Sequence, residues 1–349
     1  MNPNSPFEAQ SQSSDGGPEL KSVLIFGAAG QLGNDLLRCF QHKNNELDAA
    51  LRYRLIPLQR ERKQRECRQQ ERKQTDNQPA TKFATTVDLN DVDQINAVLC
   101  EFNPDIVINC AAYTRVDQAE NEVETSWQIN RHAPAIMARW VAARQKYLFH
   151  FSTDYVFDGK KRLPYDETDT ATAINQYGRS KLAAERAIAY EFAQKKAGQY
   201  TILRLSGVYN LVARNFVTAI LARAACETTV EVVNDQITSP TSTHLIAEIV
   251  WQMLAAHQRN DTLQGLYHLS AEGECSWFEF AKQIIELASD HGEDLALHSL
   301  VPINSKRLTL LARRPAYSKL GSSKLANHLG ISLPSWQQAL ADIIKLGDR

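Results

Sequence analysis

The stretch that decides the fold is VLIFGAAGQLG, which spans residues 23–33. Its first four residues form a short apolar run that ends at Gly27, a pattern typical of a fully buried parallel strand. Apolar side chains then recur at helical spacing, at Leu32, Leu36, Leu37 and Phe40. The sequence therefore predicts a strand, a glycine-rich turn and a helix, in that order.

The glycine-rich turn has the spacing GxxGxxG, with its glycines at Gly27, Gly30 and Gly33. In a dinucleotide-binding turn, one glycine makes the tight bend and one lets the backbone approach a pyrophosphate. The third lets the helix pack closely on the strand. The helix N-terminus adds unpaired N–H groups and the positive end of the helix dipole. These features predict a phosphate-binding site at the start of the first helix.

Strand-like and helical stretches alternate along the chain after this unit. Strands are predicted at 53–58, 105–109, 147–152 and 200–205, and helices at 91–101, 123–146 and 181–197. Such alternation favours an α/β fold, a Rossmann-type doubly wound parallel sheet with a smaller C-terminal substrate lobe. The expected organisation is a disordered lead-in over 1–20, an NAD(P)-binding Rossmann domain over 21–207, and a mainly C-terminal substrate-binding lobe over 208–349.

Two features of the sequence lie at the end of the second predicted strand. The segment 60–82 is dense in charge and glutamine, and we interpret it as a solvated insertion, partly helical or disordered, or else as a partner-binding or anion-binding arm. The strand ends in Gln59 and Arg60, without the acid that commonly holds the ribose 2′-hydroxyl. An amide and a guanidinium tolerate or attract a 2′-phosphate, so NADPH is expected as the cofactor, with NADH as the alternative.

Composition excludes several classes of function. The 349 residues are 43% hydrophobic with a net charge of −1, which supports a buried core and predicts no binding of nucleic acid or of a membrane. No apolar run approaches the roughly 20 residues that span a bilayer. The N-terminus lacks a secretory signal, and the six cysteines are scattered without metal-binding spacing. We expect reduced thiols, a cytoplasmic location and no metal site.

A second group of reactive side chains lies in the middle of the chain. Thr153 belongs to a Ser-Thr-Asp triplet at the end of the strand predicted at 147–152, and Tyr177 and Lys181 share one face of a helix. A ketone that receives hydride must also be given a proton. A tyrosine hydroxyl can donate it when a nearby ammonium eases phenolate formation, while a threonine hydroxyl stabilises the developing charge. The pattern predicts ketone reduction.

Six motifs occur in a characteristic order: GAAGQLG (27–33), NCAAYTRVD (109–117), STDYVFDG (152–159), NQYGRSKLAAE (175–185), VNDQ (233–236) and ARRP (312–315). This series resembles the dTDP-4-dehydrorhamnose reductase family, a branch of the extended short-chain dehydrogenase/reductase superfamily. The resemblance covers residues 21–345. It implies NAD(P)H-dependent reduction of the C4 ketone of dTDP-4-dehydro-6-deoxy-L-mannose to dTDP-L-rhamnose, a precursor of cell-surface polysaccharide.

The resemblance also implies roles for individual residues. Tyr177 resembles the proton donor, Lys181 its helper and nicotinamide-ribose ligand, and Thr153 the partner of the carbonyl oxygen. Asn130 matches an asparagine that supports the site. Further cofactor contacts are implied for Gly30, Gln31, Leu32, Asp88, Leu89, Ala112, Tyr113 and Thr114, and a substrate contact for Asp154. Arg313 and Arg314 are implied as ligands of the nucleotide diphosphate, with a solvated basic pair as the alternative.

This chain departs from the family pattern at two further positions. Gly207 stands where the family has a tryptophan of the sugar pocket, which leaves another nucleotide-linked 4-ketohexose open as substrate. Some members use a glutamate of the first helix for a magnesium-linked dimer, and this chain has only Asp35 there. Mg²⁺ and a homodimer are therefore implied through Asp35 alone.

A different class of function is also open. The same lineage includes the regulatory subunit of methionine adenosyltransferase, which binds a dinucleotide and a partner enzyme without needing turnover. The intact set of Thr153, Tyr177 and Lys181, together with the ARRP segment, favours the enzyme.

Overall fold

The computed structural model describes residues 20–47, 52–60, 85–261 and 263–347. Nearly all of the predicted lead-in and of the charged segment 60–82 therefore lies outside the described residues. The strands are β1 (Lys21–Phe26), β2 (Tyr53–Arg60), β3 (Thr85–Val87), β4 (Ile106–Asn109), β5 (Tyr147–Thr153), β6 (Gln199–Leu205), β7 (Val208–Tyr209), β8 (Thr229–Val233), β9 (Ile237–Thr238), β10 (Thr241–Ser242), β11 (Gly265–Leu269), β12 (Cys275–Ser276) and β13 (Ser299–Ile303).

The α-helices are α1 (Gln31–Glu46), α2 (Val92–Phe102), α3 (Val123–Trp127), α4 (Ala133–Ala143), α5 (Gln176–Lys195), α6 (Phe216–Ala224), α7 (Thr243–Gln258), α8 (Trp277–Asp290), α9 (Ser323–Leu329) and α10 (Trp336–Gly347). The helix predicted over 123–146 is interrupted, because a π-helical segment at Gln128–His132 separates α3 from α4. None of the described helices is both long and apolar enough to cross a membrane.

Seven strands form one sheet in the order β11-β6-β5-β4-β1-β2-β3, and every neighbouring pair is parallel. Alternate residues of β1 face two apolar layers, as strand geometry requires. Val23 and Ile25 pack against α1 and α7, whereas Leu24 and Phe26 pack towards α2, α4 and α5. The Rossmann-type doubly wound sheet predicted from the sequence is confirmed.

The second half of the chain contributes to both parts of the molecule. Strand β11 extends the large sheet beside β6, and α7 packs on α1. Helices α6, α8 and α10 instead surround Phe280 in a separate apolar cluster, with β8 paired to β13 nearby. The division at residue 207 stays a prediction; β11 and α7 follow that residue along the chain but pack with the Rossmann sheet.

Candidate active site

A cleft of about 950 Å³ opens at the carboxyl ends of β1, β4 and β5. Parallel strands bring their carboxyl ends to one edge of the sheet, which is where ligands bind in open α/β folds. The cleft is lined by most of the residues singled out from the sequence: Gly27, Gly30, Gln31, Leu32, Asp88, Leu89, Ala112, Tyr113, Thr114, Thr153, Asp154, Tyr177 and Lys181. Gly33, Arg313 and Arg314 are not among the lining residues.

One end of the cleft is the N-terminus of α1. Gly30 precedes the helix, no described side chain caps it, and its first turn holds no acid. Its first N–H groups therefore face the cleft uncompensated, which fits a pyrophosphate. Gly33 lies behind the turn, where an added Cβ would stand 2.2 Å from the carbonyl oxygen of Gly27. Gly33 thus acts through close packing of helix and strand.

The adjoining wall of the cleft comes from the ends of β2 and β3. Gln59 and Arg60 line it, together with Asp88 and Leu89. Among the described residues, β2 itself ends in Gln59 and Arg60, an amide and a guanidinium, and both line the cleft beside the glycine-rich turn. This wall fits the ribose end of a dinucleotide.

Helix α5 carries Tyr177 and Lys181 into the middle of the cleft. Asn175 caps the helix, because its side chain accepts the Gly178 N–H at 2.7 Å. An added Cβ at Gly178 would lie 2.1 Å from the Tyr155 carbonyl oxygen. Glycine is therefore required for the helix to start directly against the segment that follows β5.

Tyr177 contacts Thr153 at the end of β5 and Tyr155 just beyond it. Its hydroxyl is hydrogen-bonded to Thr153, and its ring stands edge-on to that of Tyr155 with centroids 5.9 Å apart. Burial raises the pKa of Tyr177 to about 12, the Thr153 hydrogen bond opposes this, and the nearby Asp154 adds to it. The tyrosine is therefore a protonated donor at neutral pH.

Lys181 is 2% exposed and donates to the Phe151 carbonyl at 2.6 Å. Burial lowers its pKa to about 8, against an opposing contribution from the Glu185 carboxylate. The lysine is thus charged at neutral pH but close to losing its proton. An ammonium at this place eases formation of the Tyr177 phenolate.

Asp154 lies beside Thr153 at the floor of the cleft. Its carboxyl accepts hydrogen bonds from Thr153 at 3.0 Å and from Ser206 at 2.8 Å. Burial raises the pKa of Asp154 above its ordinary value, and these hydroxyls oppose the shift. The group is a polar acceptor within reach of a bound sugar.

Asn130 joins the cofactor side of the cleft to the catalytic helix. Its Oδ1 accepts the Tyr113 N–H at 2.8 Å, and its Nδ2 donates to the Tyr113 carbonyl and to Ser180 Oγ. It lies in the π-helical segment between α3 and α4. Such segments are frequent at functional sites, and this one holds Asn130 between the two walls.

The predicted diphosphate ligands lie beside the cleft. The Arg314 guanidinium donates to the Asp117 carboxylate at 2.8 Å, and Asp117 also accepts the Ala312 N–H. Arg313 is exposed, and its carbonyl accepts from the Asn175 side chain. The ARRP segment is thus tied to the loop after β4 and to the cap of α5.

Sequence reasoning missed the lobe residues that face the sheet. Arg214, Asn215, Phe216 and Trp277 all line the cleft, and the rings of Phe216 and Trp277 are 4.6 Å apart. Phe216 is the first residue of α6 and Trp277 is the first residue of α8, and each helix has a capping box at its N-terminus. A capping pattern predicts where a helix starts, but it does not tell which surface the helix end faces.

The two departures from the family pattern have local explanations. Gly207 lines the cleft at φ +53°, and an added Cβ would lie 3.0 Å from Pro240 Cα. The side chain of Asp35 accepts hydrogen bonds from Thr243 and Asn210. Within the described part of the chain, no group of three or more His, Cys, Asp or Glu side chains could hold a metal ion.

Fold and site together define a class of protein. A phosphate-binding turn and a Thr153–Tyr177 pair with a buried Lys181 meet in one cleft of a Rossmann-type sheet. This is the arrangement of an NAD(P)-dependent oxidoreductase of the extended short-chain dehydrogenase type.

Comparison with known proteins narrows the class to a family. A family model described as the RmlD substrate binding domain matches residues 21–348. A dTDP-4-dehydrorhamnose reductase of Sinorhizobium fredii is 37% identical over 246 residues, which cover 69% of this chain and 80% of that protein. One from Burkholderia thailandensis is 31% identical over 324 residues, which cover 91% and 96%.

Solved structures agree with the sequence comparison. The crystal structure of the Bacillus anthracis dTDP-4-dehydrorhamnose reductase in complex with NADP matches with a TM-score of 0.75 and 29% identity. The match covers 94% of this chain and 100% of that one. The chain belongs to the RmlD family.

Proposed function

We propose that this protein reduces the C4 ketone of dTDP-4-dehydro-6-deoxy-L-mannose to dTDP-L-rhamnose with NAD(P)H. One observation carries the proposal: Thr153, Tyr177 and Lys181 meet in a cleft whose far end is a phosphate-binding turn. The match to the dTDP-4-dehydrorhamnose reductase of Burkholderia thailandensis covers 91% of this chain. A purely regulatory role would not require all three side chains to be kept in this geometry.

The chain's own residues divide the chemistry among them. The nicotinamide cofactor, when bound, supplies the hydride. Tyr177 donates its hydroxyl proton to the carbonyl oxygen, and Thr153 donates a hydrogen bond to the same oxygen as charge develops on it. Lys181 stabilises the phenolate that Tyr177 leaves behind. Asp154, held by hydroxyl groups, accepts from a sugar hydroxyl and orients the ring.

The proposed cofactor preference is NADPH, with Arg60 as the ligand of the 2′-phosphate. Arg60 lines the cleft beside the glycine-rich turn, and a guanidinium pairs well with phosphate oxygens. In Arg60→Glu, we expect the KM for NADPH to rise about tenfold or more while the KM for NADH changes little. Steady-state kinetics with both cofactors measure this. A parallel change for both cofactors would contradict the assignment.

The substrate end of the cleft is proposed to use Arg313 and Arg314 for the diphosphate. Both lie beside the cleft mouth, where release of Arg314 from Asp117 would free its guanidinium. Phe216 and Trp277 of the lobe line the same cleft as Gly207 and offer an aromatic surface to the sugar. The similarity to dTDP-4-dehydrorhamnose reductases favours the proposed rhamnose precursor over another nucleotide-linked 4-ketohexose. A homodimer, a Mg²⁺ contact through Asp35 and a cytoplasmic location remain predictions.

Oxidation of NADPH in the presence of enzymatically made dTDP-4-keto sugar tests the function. We expect Tyr177→Phe to lower kcat by about 10²–10⁴-fold, because the proton donor is lost. Tyr190→Phe is the matched control, since Tyr190 lies on the same helix and is 61% exposed. No oxidation by the wild type would overturn the reductase proposal. Full activity of Tyr177→Phe would remove the assigned proton donor.

A further inference from the structure

Lys181 has a buried histidine beside it that the proposed mechanism does not use. His150 lies on β5 and is 0% exposed, and its Nε2 is 3.3 Å from Lys181 Nζ. Its Nδ1 is 3.1 Å from the side-chain nitrogen of Asn109, its partner in the β4–β5 register. The imidazole is therefore held between an amide and an amine, beneath the floor of the cleft.

Asn109 decides which ring nitrogen carries the proton. Its Oδ1 accepts the Ala111 N–H at 3.1 Å, so its Nδ2 is the atom that faces His150. An amide nitrogen only donates, and Nδ1 of His150 must accept. Burial lowers the pKa of His150 well below its ordinary value, so the ring is neutral and has a single N–H. That proton lies on Nε2, which faces Lys181.

This tautomer opposes a charged lysine. An ammonium group has three donors and no acceptor, so the Nε2–H of His150 meets another donor when Lys181 is protonated. The neutral amine has a lone pair that accepts the Nε2–H and keeps a donor for the Phe151 carbonyl. A hydrogen bond made only by the neutral form of a base favours that form.

We propose that His150, oriented by Asn109, is a positioning residue that stabilises the neutral amine of Lys181 and so sets the pH at which the lysine loses its charge. The inference rests on the proposed reductase function, because the charge of Lys181 acts on the reaction through Tyr177. It assigns His150 a role in tuning the lysine rather than in touching substrate or cofactor.

The other groups that face Lys181 do not replace this effect. The Glu185 carboxylate favours the charged lysine but is already bound at both oxygens by Arg204. Burial raises the pKa of the Cys110 thiol, so this group is uncharged. Tyr177, on the same helix, is protonated at neutral pH. Of the polar groups described around Lys181, His150 is the one whose hydrogen bond distinguishes amine from ammonium.

The tautomer can be measured in the free protein by ¹H–¹⁵N correlation spectra of the ¹⁵N-histidine-labelled chain. His150→Phe assigns the ring, and His150 is expected as the Nε2–H tautomer across neutral and mildly alkaline pH. His268 is an internal reference, because it is equally buried but its Nδ1 faces the Tyr165 carbonyl at 3.1 Å. His268 should therefore be the Nδ1–H tautomer. An Nδ1–H or charged His150 would overturn the proposal.

The effect on Lys181 is measured by ¹³C NMR titration of the labelled lysines, with Lys181→Met for assignment. In His150→Phe the neutral amine loses its donor, and in Asn109→Asp the carboxylate takes the Nδ1–H so that Nε2 accepts from the ammonium. Both variants should raise the Lys181 titration midpoint by about one pH unit. Leu148→Val, a buried change on the same strand, should leave it in place.

The kinetic counterpart is the alkaline limb of kcat for ketone reduction, which should move upward by the same amount in Asn109→Asp. Unchanged Lys181 midpoints in both variants would overturn the role of His150, whatever the activity. A wild type without reductase activity would instead overturn the proposed function. The NMR measurements of Lys181 need no substrate and so do not depend on that result. The two failures are therefore distinguishable.

Discussion

At the scale of single residues, the site holds side chains in environments that oppose their ordinary ionisation. Burial lowers the pKa of Lys181 from 10.5 to about 8 and raises that of Tyr177 from 10.0 to about 12. A buried ammonium costs the folded state free energy, because desolvation is not fully offset by a partner. Lys181 is thus kept at the expense of stability for its effect on Tyr177.

Replacing Lys181 by methionine should therefore stabilise the protein while removing its activity. At neutral pH we expect the free energy of unfolding to rise by about 1–3 kcal/mol, since the desolvated charge disappears and only one hydrogen bond to Phe151 is lost. Urea unfolding measures this. A destabilised Lys181→Met would contradict the assignment of strain to the lysine.

The pH dependence of this gain follows from the direction of the pKa change. Between about pH 8 and pH 10.5 the folded state binds fewer protons at Lys181 than the unfolded state does, so wild-type stability rises with pH there. The advantage of Lys181→Met is therefore full below pH 8 and shrinks as the pH approaches 10.5. A gain that is constant over this range would contradict the lowered pKa.

At the scale of elements, a buried ion pair fixes the catalytic helix to the sheet. Arg204 of β6 makes two hydrogen bonds to Glu185 of α5, at 2.9 and 2.6 Å, and both side chains are under 10% exposed. Glu185 also accepts from Ser152 of β5, and Arg204 contacts His268 of β11. The network holds α5 in register with three strands, one turn beyond Lys181.

Breaking this pair from one side should be more costly than removing it. Arg204→Met leaves the Glu185 charge buried without its partner and should cost about 3–5 kcal/mol, whereas Glu185→Leu combined with Arg204→Met should cost less than the single change. Urea unfolding of the variants measures both. The exposed pair Arg223–Glu227 is the control, and Arg223→Met should cost under about 1 kcal/mol. Additive costs at the buried pair would contradict this account.

At the scale of the whole molecule, the cleft is completed by a segment from near the C-terminus. Asp117 follows β4, yet it pairs with Arg314 and accepts the Ala312 N–H. The Asn175 cap of α5 holds the Arg313 carbonyl at 2.8 Å. These contacts join the Rossmann sheet to the ARRP segment at the mouth of the cleft.

Asp117→Asn keeps an acceptor for Ala312 but loses the charge that holds Arg314. We expect the KM for the nucleotide sugar to fall by about two- to fivefold, because Arg314 no longer has to leave a partly exposed ion pair that contributes about 0.5–1 kcal/mol. The KM for NADPH should stay the same. Lys146→Gln, which removes a partly exposed ion pair with Asp105 away from the cleft, is the control. Equal effects on both substrates would contradict a role at the sugar end.

The sequence by itself determined the parts of this protein that depend on local spacing. The apolar run before Gly27, the helical period after it, and Tyr177 with Lys181 on one helix face all follow from short-range geometry. Regular alternation of strands and helices then limited the fold to a doubly wound sheet. Motif order across the chain carried the family resemblance that the comparisons confirm.

Only the tertiary structure decided contacts between distant parts of the chain. Phe216 and Trp277 reach the cleft because their helices begin at its rim, and no local pattern reports that direction. From the sequence alone, His150 is an ordinary strand residue. The β4–β5 register places it beside Asn109, and the packing of α5 places it beside Lys181. Spacing along a chain fixes which residues share an element, but protonation and burial depend on neighbours that only packing supplies.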